Sequence, residues 1–218
     1  MFKINTIDIF IYILKGSGIT LKLSLITIIF SIPLGVLIAL GKVSTLKILN
    51  YILSAYTWCF RGTPLLLQIF FVYFGLPVFG IKFKPLTAAS IAFVLNYSAY
   101  LAEIFRSGIN SIDIGQFEAA KVLGMNYYQT MSLIILPQAV IRVFPPVCSE
   151  AINLIKDTAL VSVIGIGELS RAAKEIVTRD FTITPFAAAA AIYLTITMFI
   201  VLIFRQLEKN QYNKHGYC

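Results

Sequence analysis

The stretch EAAKVLG at residues 118–124, followed after nine residues by IILP at 134–137, is a polar, helix-forming island in an otherwise apolar chain. Of the 218 residues, 58% are hydrophobic and 13% are charged, and the mean hydropathy is +0.85. A soluble domain carries roughly 25% charged residues. Several windows reach the roughly 20 apolar residues that a helix needs to cross a bilayer. The sequence therefore predicts an all-α membrane protein whose polar island is available for another protein to bind.

The polar island is predicted to begin with a short helix. Asp113 or Ser111 supplies the N-cap of a helix that begins near Gln116, because the side-chain oxygens of these residue types accept hydrogen bonds from free backbone N–H groups. Glu118 then lies in the first turn, where the helix dipole favours an anion.

A second short helix is predicted after a bend. Gly124 permits a sharp change of direction. The following helix, about residues 127–136, ends at Pro137, whose missing N–H interrupts the hydrogen-bond ladder. The small side chains of Ala119 and Ala120 allow a neighbouring backbone to approach closely. Two interpretations remain open from the residues: a rigid knob that enters a groove on a partner, or a surface-lying connector without a partner.

Five membrane spans are predicted, and residues 1–15 are expected to precede them as a short helix on the membrane surface. Ile7, Phe10 and Leu14 recur there at helical spacing. An ordinary start to the first span is the alternative. The spans cover about residues 19–40, 52–74, 86–102, 138–163 and 185–204. An odd number of spans places the two termini on opposite sides.

The basic residues do not decide the orientation of these spans. If the polar island is cytoplasmic, the loops on that side hold eight Lys and Arg residues and the opposite segments hold seven. The positive-inside rule requires a clear excess on one side. Most of these residues lie in short loops and at span ends, where they meet lipid headgroups. Because no basic run has interleaved aromatic residues, nucleic-acid binding is not predicted.

An arginine lies about ten residues inside the second predicted span, in the segment RGTP. A charge at membrane depth marks a functional candidate. Glycine and proline break the helix locally, and backbone groups freed at that depth usually line a cavity. The segment is therefore a candidate wall of a translocation path: Arg61, Gly62, Thr63 and Pro64. Three carboxylates are candidate partners for the guanidinium: Glu103, Glu150 and Asp157. A structural ion pair with a packing kink is the alternative.

Three polar residues of the fourth predicted span lie on one helix face. Glu150, Asn153 and Asp157 are separated by three and four positions, so they lie side by side. Such a stripe inside a helical bundle can hold the ammonium group of a solute. It can equally pair with Arg61 or Arg142 and hold helices together.

Two further sets of polar residues are less specific. Asn96 and Tyr100 on the third span, with Tyr97, are candidates for the lining of the same path, although aromatic residues at helical spacing more often pack. The segment Gly165-Ile-Gly167 followed by Glu168 predicts a turn with an exposed carboxylate, and a contact for a partner protein is the alternative there.

The residues that catalysis or ATP binding would need are not found in the sequence. The nearest approach to a phosphate-binding loop begins at Gly35, its gap is one residue too long, and Val43 replaces the required Ser or Thr. The three cysteines are widely scattered, and the one histidine lies near the C-terminus. No disulfide framework, metal site or nucleophilic triad is therefore predicted.

Four segments in order resemble the permeases of ABC importers, in the polar-amino-acid branch that includes histidine and glutamine permeases. The spacing Glu-Ala-Ala, three residues, Gly, nine residues, Ile-x-Leu-Pro is that of the EAA loop in this family. The other segments are RGTPLLLQIFFVYFGLP at 61–77, LNYSAYLAEIFRSGI at 95–109 and LIKDTALVSVIGIGEL at 154–169. The resemblance extends over about residues 16–205. It implies the type I importer permease fold, with the N-terminus outside and the C-terminus cytoplasmic.

The resemblance also implies how the chain is organised. It implies one transmembrane permease domain over residues 1–218, with a cytoplasmic coupling loop at 107–137 and a cytoplasmic tail at 205–218. In the family this loop docks into a cleft of the ATP-binding subunit. The residues that match the loop motif are Glu118, Ala119, Ala120, Gly124, Ile134, Leu136 and Pro137.

The function implied by the resemblance is that of a non-catalytic subunit in an ATP-driven importer of a polar amino acid, in the plasma (inner) membrane of a prokaryote. No cofactor is expected in this chain, since a partner ATPase binds ATP and Mg²⁺. The other expected partners are an extracytoplasmic amino-acid-binding protein and a second permease, in a homodimer or heterodimer. The alternative is a secondary transporter driven by an ion gradient, which favours inverted repeats that five unequal spans do not display.

Overall fold

The computed structural model describes residues 6–215, and these residues are helical almost throughout. The described chain forms α1 (Thr6–Val43), α2 (Lys47–Gly62), α3 (Leu65–Phe70), α4 (Pro85–Asn110), α5 (Ile114–Val122), α6 (Tyr127–Thr130), α7 (Leu136–Asp157), α8 (Leu169–Asp180) and α9 (Thr184–His215). A π-turn (Phe71–Gly75) and a 3₁₀ turn (Leu76–Phe79) extend α3. A second π-turn (Met131–Ile135) joins α6 to α7, and a second 3₁₀ turn (Thr158–Ile164) extends α7. Residues 1–5 and 216–218, which belong to the expected surface helix and tail, lie outside the described residues.

Four segments of the described chain are long and apolar enough to cross a membrane, and one bent pair raises the number to five. The four are Ile9–Val43, Pro85–Asn110, Tyr127–Ile164 and Thr184–Lys209, and the pair is Lys47–Gly62 with Leu65–Phe79. The prediction of an all-α membrane protein with about five spans is thus confirmed.

The second predicted span is not one straight helix. Its two halves, α2 and α3, are bent by 103° relative to each other. The bend lies at Thr63, whose backbone is extended with φ −115° and ψ 143°. Pro64 causes it, because a proline lacks the N–H for the ladder and disfavours helical geometry in the residue before it.

The separate surface helix expected at residues 1–15 requires a correction. In the described part, residues 6–15 continue without a break into the first span, as one helix of 38 residues. The physical reason is that no proline lies between Thr6 and Pro33 and the small residues Gly16, Ser17 and Gly18 do not end the helix. The alternative, an ordinary start to the first span, describes these residues.

The centre of the bundle is the contact between α1 and α4, which small residues bring close together. A Cβ at Gly35 would lie 3.0 Å from the Cβ of Leu101 and 3.3 Å from the backbone nitrogen of Ala102. The face of α4 that packs inwards is rich in buried alanine: Ala88, Ala89, Ala92, Ala99 and Ala102. Between helices in lipid, close van der Waals packing replaces the hydrophobic effect as the main attraction. Glycine and alanine at this contact therefore hold the two spans together.

Glu168 caps α8 and is fully buried, which contradicts the expectation of an exposed carboxylate. Its carboxylate accepts hydrogen bonds from the backbone N–H groups of Ser170 (2.7 Å) and Arg171 (2.6 Å), and from the Tyr193 hydroxyl of α9 (3.0 Å). Burial raises the pKa of this carboxyl above its usual range, against the lowering effect of the two N–H groups. The N-terminus of α8 needs an acceptor, and the glycine turn before it directs Glu168 inwards to supply one.

Replacing Glu168 by alanine is expected to lower the free energy of unfolding by about 1–3 kcal/mol, because the N-cap is lost and the Tyr193 hydroxyl is left without its acceptor. Thermal unfolding of the protein in detergent measures the effect. The matched control is Glu175→Ala on the exposed side of α8, where the pair with Arg171 (2.9 Å) and the hydrogen bond from the Tyr12 hydroxyl (2.9 Å) are solvent-exposed and contribute about 0–1 kcal/mol. Equal losses in both variants would contradict the capping role.

Candidate functional site

A cavity of about 530 Å³ lies where the break between α2 and α3 faces α4 and the end of α7. All nine residues that the sequence analysis assigns to a solute path line it: Arg61, Gly62, Thr63, Pro64, Asn96, Tyr100, Glu150, Asn153 and Asp157. Leu65, Tyr97 and Leu160 complete the lining. Residues from distant parts of the chain thus meet at one place, and their role in transport stays a prediction.

The break between α2 and α3 frees backbone carbonyls, and two amide side chains bind them. Gln68 Nε2 donates to the carbonyl oxygens of Phe60 (2.9 Å) and Thr63 (3.2 Å). Asn96 Nδ2 donates to the same Phe60 oxygen at 3.0 Å and to Gln68 Oε1 at 3.1 Å. The irregular backbone is therefore satisfied from inside the protein, as membrane depth requires. Sequence reasoning missed Gln68, although its position four residues after the helix-breaking proline was a usable signal.

Arg61 is exposed at the edge of the cavity and forms no ion pair with any described residue. Its guanidinium carbon lies 5.4 Å from the centre of the Tyr100 ring, a cation–π contact. The predicted pairing with Glu103, Glu150 or Asp157 is not present. The guanidinium is therefore available to an anionic group in the cavity.

Glu103 is instead occupied outside the cavity. Its carboxylate pairs with Lys42 at the end of α1 and with Arg106 one turn further along α4, where Nη2 lies 2.8 Å away. It also accepts a hydrogen bond from the Thr57 hydroxyl at 3.0 Å. Sequence reasoning missed Lys42 and Thr57, because no local pattern links the ends of α1 and α2 to the middle of α4.

The carboxylates of α7 face the cavity as their spacing predicts. Glu150, Asn153 and Asp157 line the same wall, which confirms that they share a helix face. Asp157 Oδ2 accepts a hydrogen bond from the buried Tyr97 hydroxyl at 2.7 Å. Tyr97 thereby fixes the orientation of one carboxylate, while the other acceptor oxygen of Asp157 remains open to a donor.

Charges of both signs line the cavity. The lining holds one guanidinium, Arg61, and two carboxylates, Glu150 and Asp157. A guanidinium binds a carboxylate through two parallel hydrogen bonds, and a carboxylate binds an ammonium group through charge-assisted ones. The cavity thus presents groups that bind an anion and groups that bind a cation.

The polar island forms a second exposed feature, built from α5 and α6. Asp113 caps α5, since its Oδ1 accepts from the Gly115 N–H at 2.6 Å, so Ser111 is not the cap. The helix begins at Ile114, two residues earlier than predicted. Glu118 is consequently the fifth residue of α5 and lies outside its first turn, which corrects the expected contact with the helix dipole.

Gly124 ends α5 as a left-handed C-cap, with φ +74°. The N–H of Met125 donates to the Ala120 carbonyl (3.0 Å) and the N–H of Gly124 donates to the Lys121 carbonyl (3.0 Å). This pair of bonds is the Schellman motif, which requires a residue at positive φ. The predicted change of direction at Gly124 is confirmed. Asn126 then starts α6 through a capping box with Gln129.

Pro137 does not end the second helix of the island, contrary to the prediction. The helix that begins at Tyr127 continues to Ile164 over 38 residues. The π-turn Met131–Ile135 admits the proline, since its wider hydrogen bonding runs from the Leu136 N–H to the Met131 carbonyl. In a regular α-helix the proline ring would clash with the backbone carbonyl one turn before it, and the π-turn avoids this clash. The island and the carboxylate wall of the cavity therefore belong to one helix.

The motif residues of the island divide between exposed and anchoring positions. Glu118, Ala119 and Gly124 are exposed, whereas Ala120 is fully buried. Ile134 and Leu136 pack against a buried cluster at the end of α4 and the start of α7: Ile109, Ile112, Met131, Ile135 and Ala139. These two residues anchor the island rather than present a surface.

Large apolar side chains surround the exposed motif residues, and sequence reasoning missed them. Val122 is 87% exposed, Leu123 76% and Tyr128 81%. Ile114 and Tyr127 are exposed beside them. Apolar side chains in such density on a polar segment indicate a protein-binding surface. We refer to the exposed residues 114–128 of α5 and α6 as the coupling surface.

Comparison with known proteins places this architecture in a family. Residues 31–211 match the family described as the binding-protein-dependent transport system inner membrane component. A putative glutamine transport system permease of Rickettsia bellii is 42% identical over 201 residues, covering 91% of this chain and 92% of the relative. The arginine transport system permease of Bacillus subtilis is 40% identical over 200 residues, covering 91% of each.

Two solved structures share the fold. An amino acid ABC transporter crystallised with histidines has a TM-score of 0.85 and 37% identity, covering 91% of this chain and 94% of that one. An inward-facing methionine ABC transporter has a TM-score of 0.72 over the same shares at 16% identity, which shows the fold alone. Permeases of this family are multi-pass inner-membrane subunits that work with an ATPase and a substrate-binding protein. The chain belongs to this family, the permease subunits of binding-protein-dependent ABC importers.

Proposed function

We propose that the chain imports a polar amino acid and has no ATPase chemistry of its own, since the partner subunit binds and hydrolyses ATP with Mg²⁺. The observation that carries the proposal is the cavity of about 530 Å³, which collects one guanidinium and two carboxylates at the depth of the spans. Charged groups at that depth are costly unless they serve a path or a partner. Relatives named for glutamine, arginine and cystine transport support an amino acid as the solute.

The cavity would bind an amino acid by its common ends. Arg61 takes the α-carboxylate, because its guanidinium is exposed there and its only described contact is the Tyr100 ring. Asp157, held by Tyr97, takes the α-ammonium group. Glu150 lies within the same wall and adds a second negative charge. With two carboxylates against one guanidinium, the empty cavity favours a solute whose net charge is zero or positive.

The coupling surface would dock the ATPase, with residues 107–137 and the tail 205–218 in the cytoplasm and the N-terminus outside. Its exposed apolar side chains around Glu118 and Gly124 support the docking. Closure of the ATPase pair on ATP then moves the coupling surface and switches the spans between two states, as in other two-state transporters. An extracytoplasmic amino-acid-binding protein delivers the solute to the opposite face.

A second permease, identical or similar, would cover the charged edge of the chain. Arg61 and Lys156 are both exposed within spanning segments. A lysine or arginine facing hydrocarbon at this depth costs about 2.5–3.5 kcal/mol or more. A dimer partner removes these side chains from lipid and closes the path around the cavity.

The experiment that tests the function is uptake by the reconstituted complex of permease, ATPase and binding protein in proteoliposomes. Uptake of a radiolabelled polar amino acid is expected to require ATP on the side of the membrane where the ATPase is bound. It is expected to persist when ionophores collapse the ion gradients. A secondary transporter would give the opposite pattern. Uptake that survives without ATP but stops with the ionophores would therefore refute the proposal.

A further inference from the structure

The helix α2 contacts the bundle through both apolar packing, where Leu49 and Leu53 lie against Gly41 of α1, and a set of polar contacts. Thr57 is its one buried residue. The large apolar side chains of α2 face outwards instead, with Ile48 at 79%, Tyr51 at 78% and Trp58 at 80% exposure. A helix without a buried apolar stripe gains little from packing on its neighbours. With few buried apolar side chains on α2, specific hydrogen bonds contribute to its position.

The carboxylate of Glu103 is the central acceptor of these hydrogen bonds. It joins three helices, since it pairs with Lys42 of α1, accepts from the Thr57 hydroxyl of α2 at 3.0 Å, and pairs with Arg106 of its own helix. Lys42 Nζ also donates to the Thr57 hydroxyl at 2.7 Å. The lysine side chain is 8% exposed and that of Glu103 15%. We call these four residues, Lys42, Thr57, Glu103 and Arg106, the clamp.

Further hydrogen bonds of α2, made by Asn50 and Tyr56, add to those of the clamp. Asn50 Nδ2 donates to the Lys42 carbonyl at 2.6 Å, and the Tyr56 hydroxyl contacts the Leu95 carbonyl at 2.6 Å and Ser98 Oγ at 2.7 Å. Each of these contacts joins α2 to α1 or α4. Hydrogen bonds are directional, so they fix α2 in one register on α4 where apolar contacts would allow sliding.

The clamp lies between the cavity and the coupling surface. Glu103 is one turn of α4 beyond Tyr100 of the cavity, and α4 ends at Asn110, about 10 Å further along the helix at 1.5 Å per residue. The chain then enters α5 within four residues. On α2, Thr57 precedes Arg61 by four residues, one turn. The clamp thus ties the helix that leads to the coupling surface to the helix that carries Arg61.

We propose that Glu103 is a positioning residue for transport: its carboxylate holds α2 on α4, so that a movement of the coupling surface moves Arg61 at the cavity. This inference rests on the proposed function, because it assumes that the coupling surface moves with the ATPase. A buried ion pair contributes little net stability compared with apolar residues of similar size. The role of this ion pair is therefore to keep α2 and α4 aligned.

Thr57→Val is the sharpest test, since valine keeps the shape of threonine and removes only the hydroxyl that attaches α2 to the ion pair. Uptake per ATP hydrolysed by the reconstituted complex is expected to fall about tenfold, which is within the range typical of a coupling free energy. The rate of ATP hydrolysis is expected to stay within about twofold of that of the unaltered complex. Thr57→Ser restores the hydroxyl and is expected to restore the ratio. Glu103→Gln is expected to lower it as well.

The matched control is Ser54→Ala on the same helix, because the Ser54 hydroxyl bonds only to Asn50 within α2 (3.1 Å). This variant is expected to keep the uptake per ATP. Hydrogen exchange of the backbone, measured by mass spectrometry on the same complexes, should rise in α2 for Thr57→Val and stay unchanged in α8. Exchange does not depend on transport, so it tests the attachment of α2 even if the unaltered complex fails to import an amino acid.

Two results would overturn the inference. The first is an unchanged ratio of uptake to ATP hydrolysis in Thr57→Val. The second is an unchanged exchange rate of α2 in both Thr57→Val and Glu103→Gln. A loss of uptake and ATP hydrolysis in equal proportion is a case of the first result, and it indicates a general loss of folded complex rather than a loss of positioning.

Discussion

Gly124→Asp is expected to abolish ATP-driven uptake while the chain still inserts and folds. A Cβ at Gly124 meets no atom within 4 Å, and aspartate tolerates a left-handed backbone better than most residues, so the φ of +74° is not a barrier to folding. The new carboxylate projects from the middle of the coupling surface, where the ATPase would bury it unpaired. Such a change at the centre of an interface costs about 2–4 kcal/mol, or roughly 30- to 1,000-fold in affinity.

The measurement is co-purification of the ATPase with the permease, together with uptake in proteoliposomes. The chain supplies a matched control in Gly80, which has φ +82° and equally open space around a Cβ but lies in the turn before α4, away from the coupling surface. Gly80→Asp is expected to retain ATPase binding and uptake. If Gly124→Asp kept wild-type uptake, residues 114–128 would not be the docking site of the ATPase.

Asp157→Asn is expected to weaken amino-acid binding by roughly 30- to 150-fold, because a charge-assisted hydrogen bond to an ammonium group contributes about 2–3 kcal/mol. Asparagine keeps the shape of the side chain and can still bond to the Tyr97 hydroxyl, which lies 2.7 Å from the aspartate. The wall of the cavity therefore stays in place while its charge is lost. Uptake competition between neutral and cationic amino acids in the reconstituted complex measures the change.

Glu150→Gln extends the same experiment. Because Glu150 adds the second negative charge of the cavity, its loss is expected to reduce uptake of a cationic amino acid more than that of a neutral one. Asp180→Asn is the matched control, since Asp180 pairs only with its neighbour Arg179, at 2.8 Å on the exposed end of α8. If Asp157→Asn and Glu150→Gln both retained wild-type selectivity and rate, the carboxylates would be structural.

The spans and the lining of the cavity could be predicted because their signals are local. Apolar runs predict spans by length, and the offsets of Glu150, Asn153 and Asp157 predict a shared face without knowledge of the tertiary structure. The RGTP segment predicted a helix break because proline acts on its own neighbours. These predictions needed only the geometry of one helix.

Most errors came from positions where distant residues decide the outcome, and one came from an unrecognised local turn. Glu168 was expected on the surface, yet two backbone N–H donors of α8 and a hydroxyl donor from α9 hold its carboxylate inside. Pro137 was expected to end a helix, yet the π-turn Met131–Ile135 just before it accommodates it. Two partners of Glu103, Thr57 and Lys42, are 46 and 61 positions away along the chain. No local rule predicts a contact over such a separation.

The helical segment from Tyr127 to Ile164 is continuous past Pro137, through the π-turn, and past Pro145 and Pro146 inside α7. Tyr127 at the coupling surface and Glu150 at the cavity are 23 positions apart on it, or about 35 Å at 1.5 Å per residue. A tilt of about 10° about one end displaces the other by about 6 Å over that length. A displacement of that size exceeds the reach of a hydrogen bond, so under the proposed function a small rotation is enough to separate the carboxylates from an ammonium group of the solute.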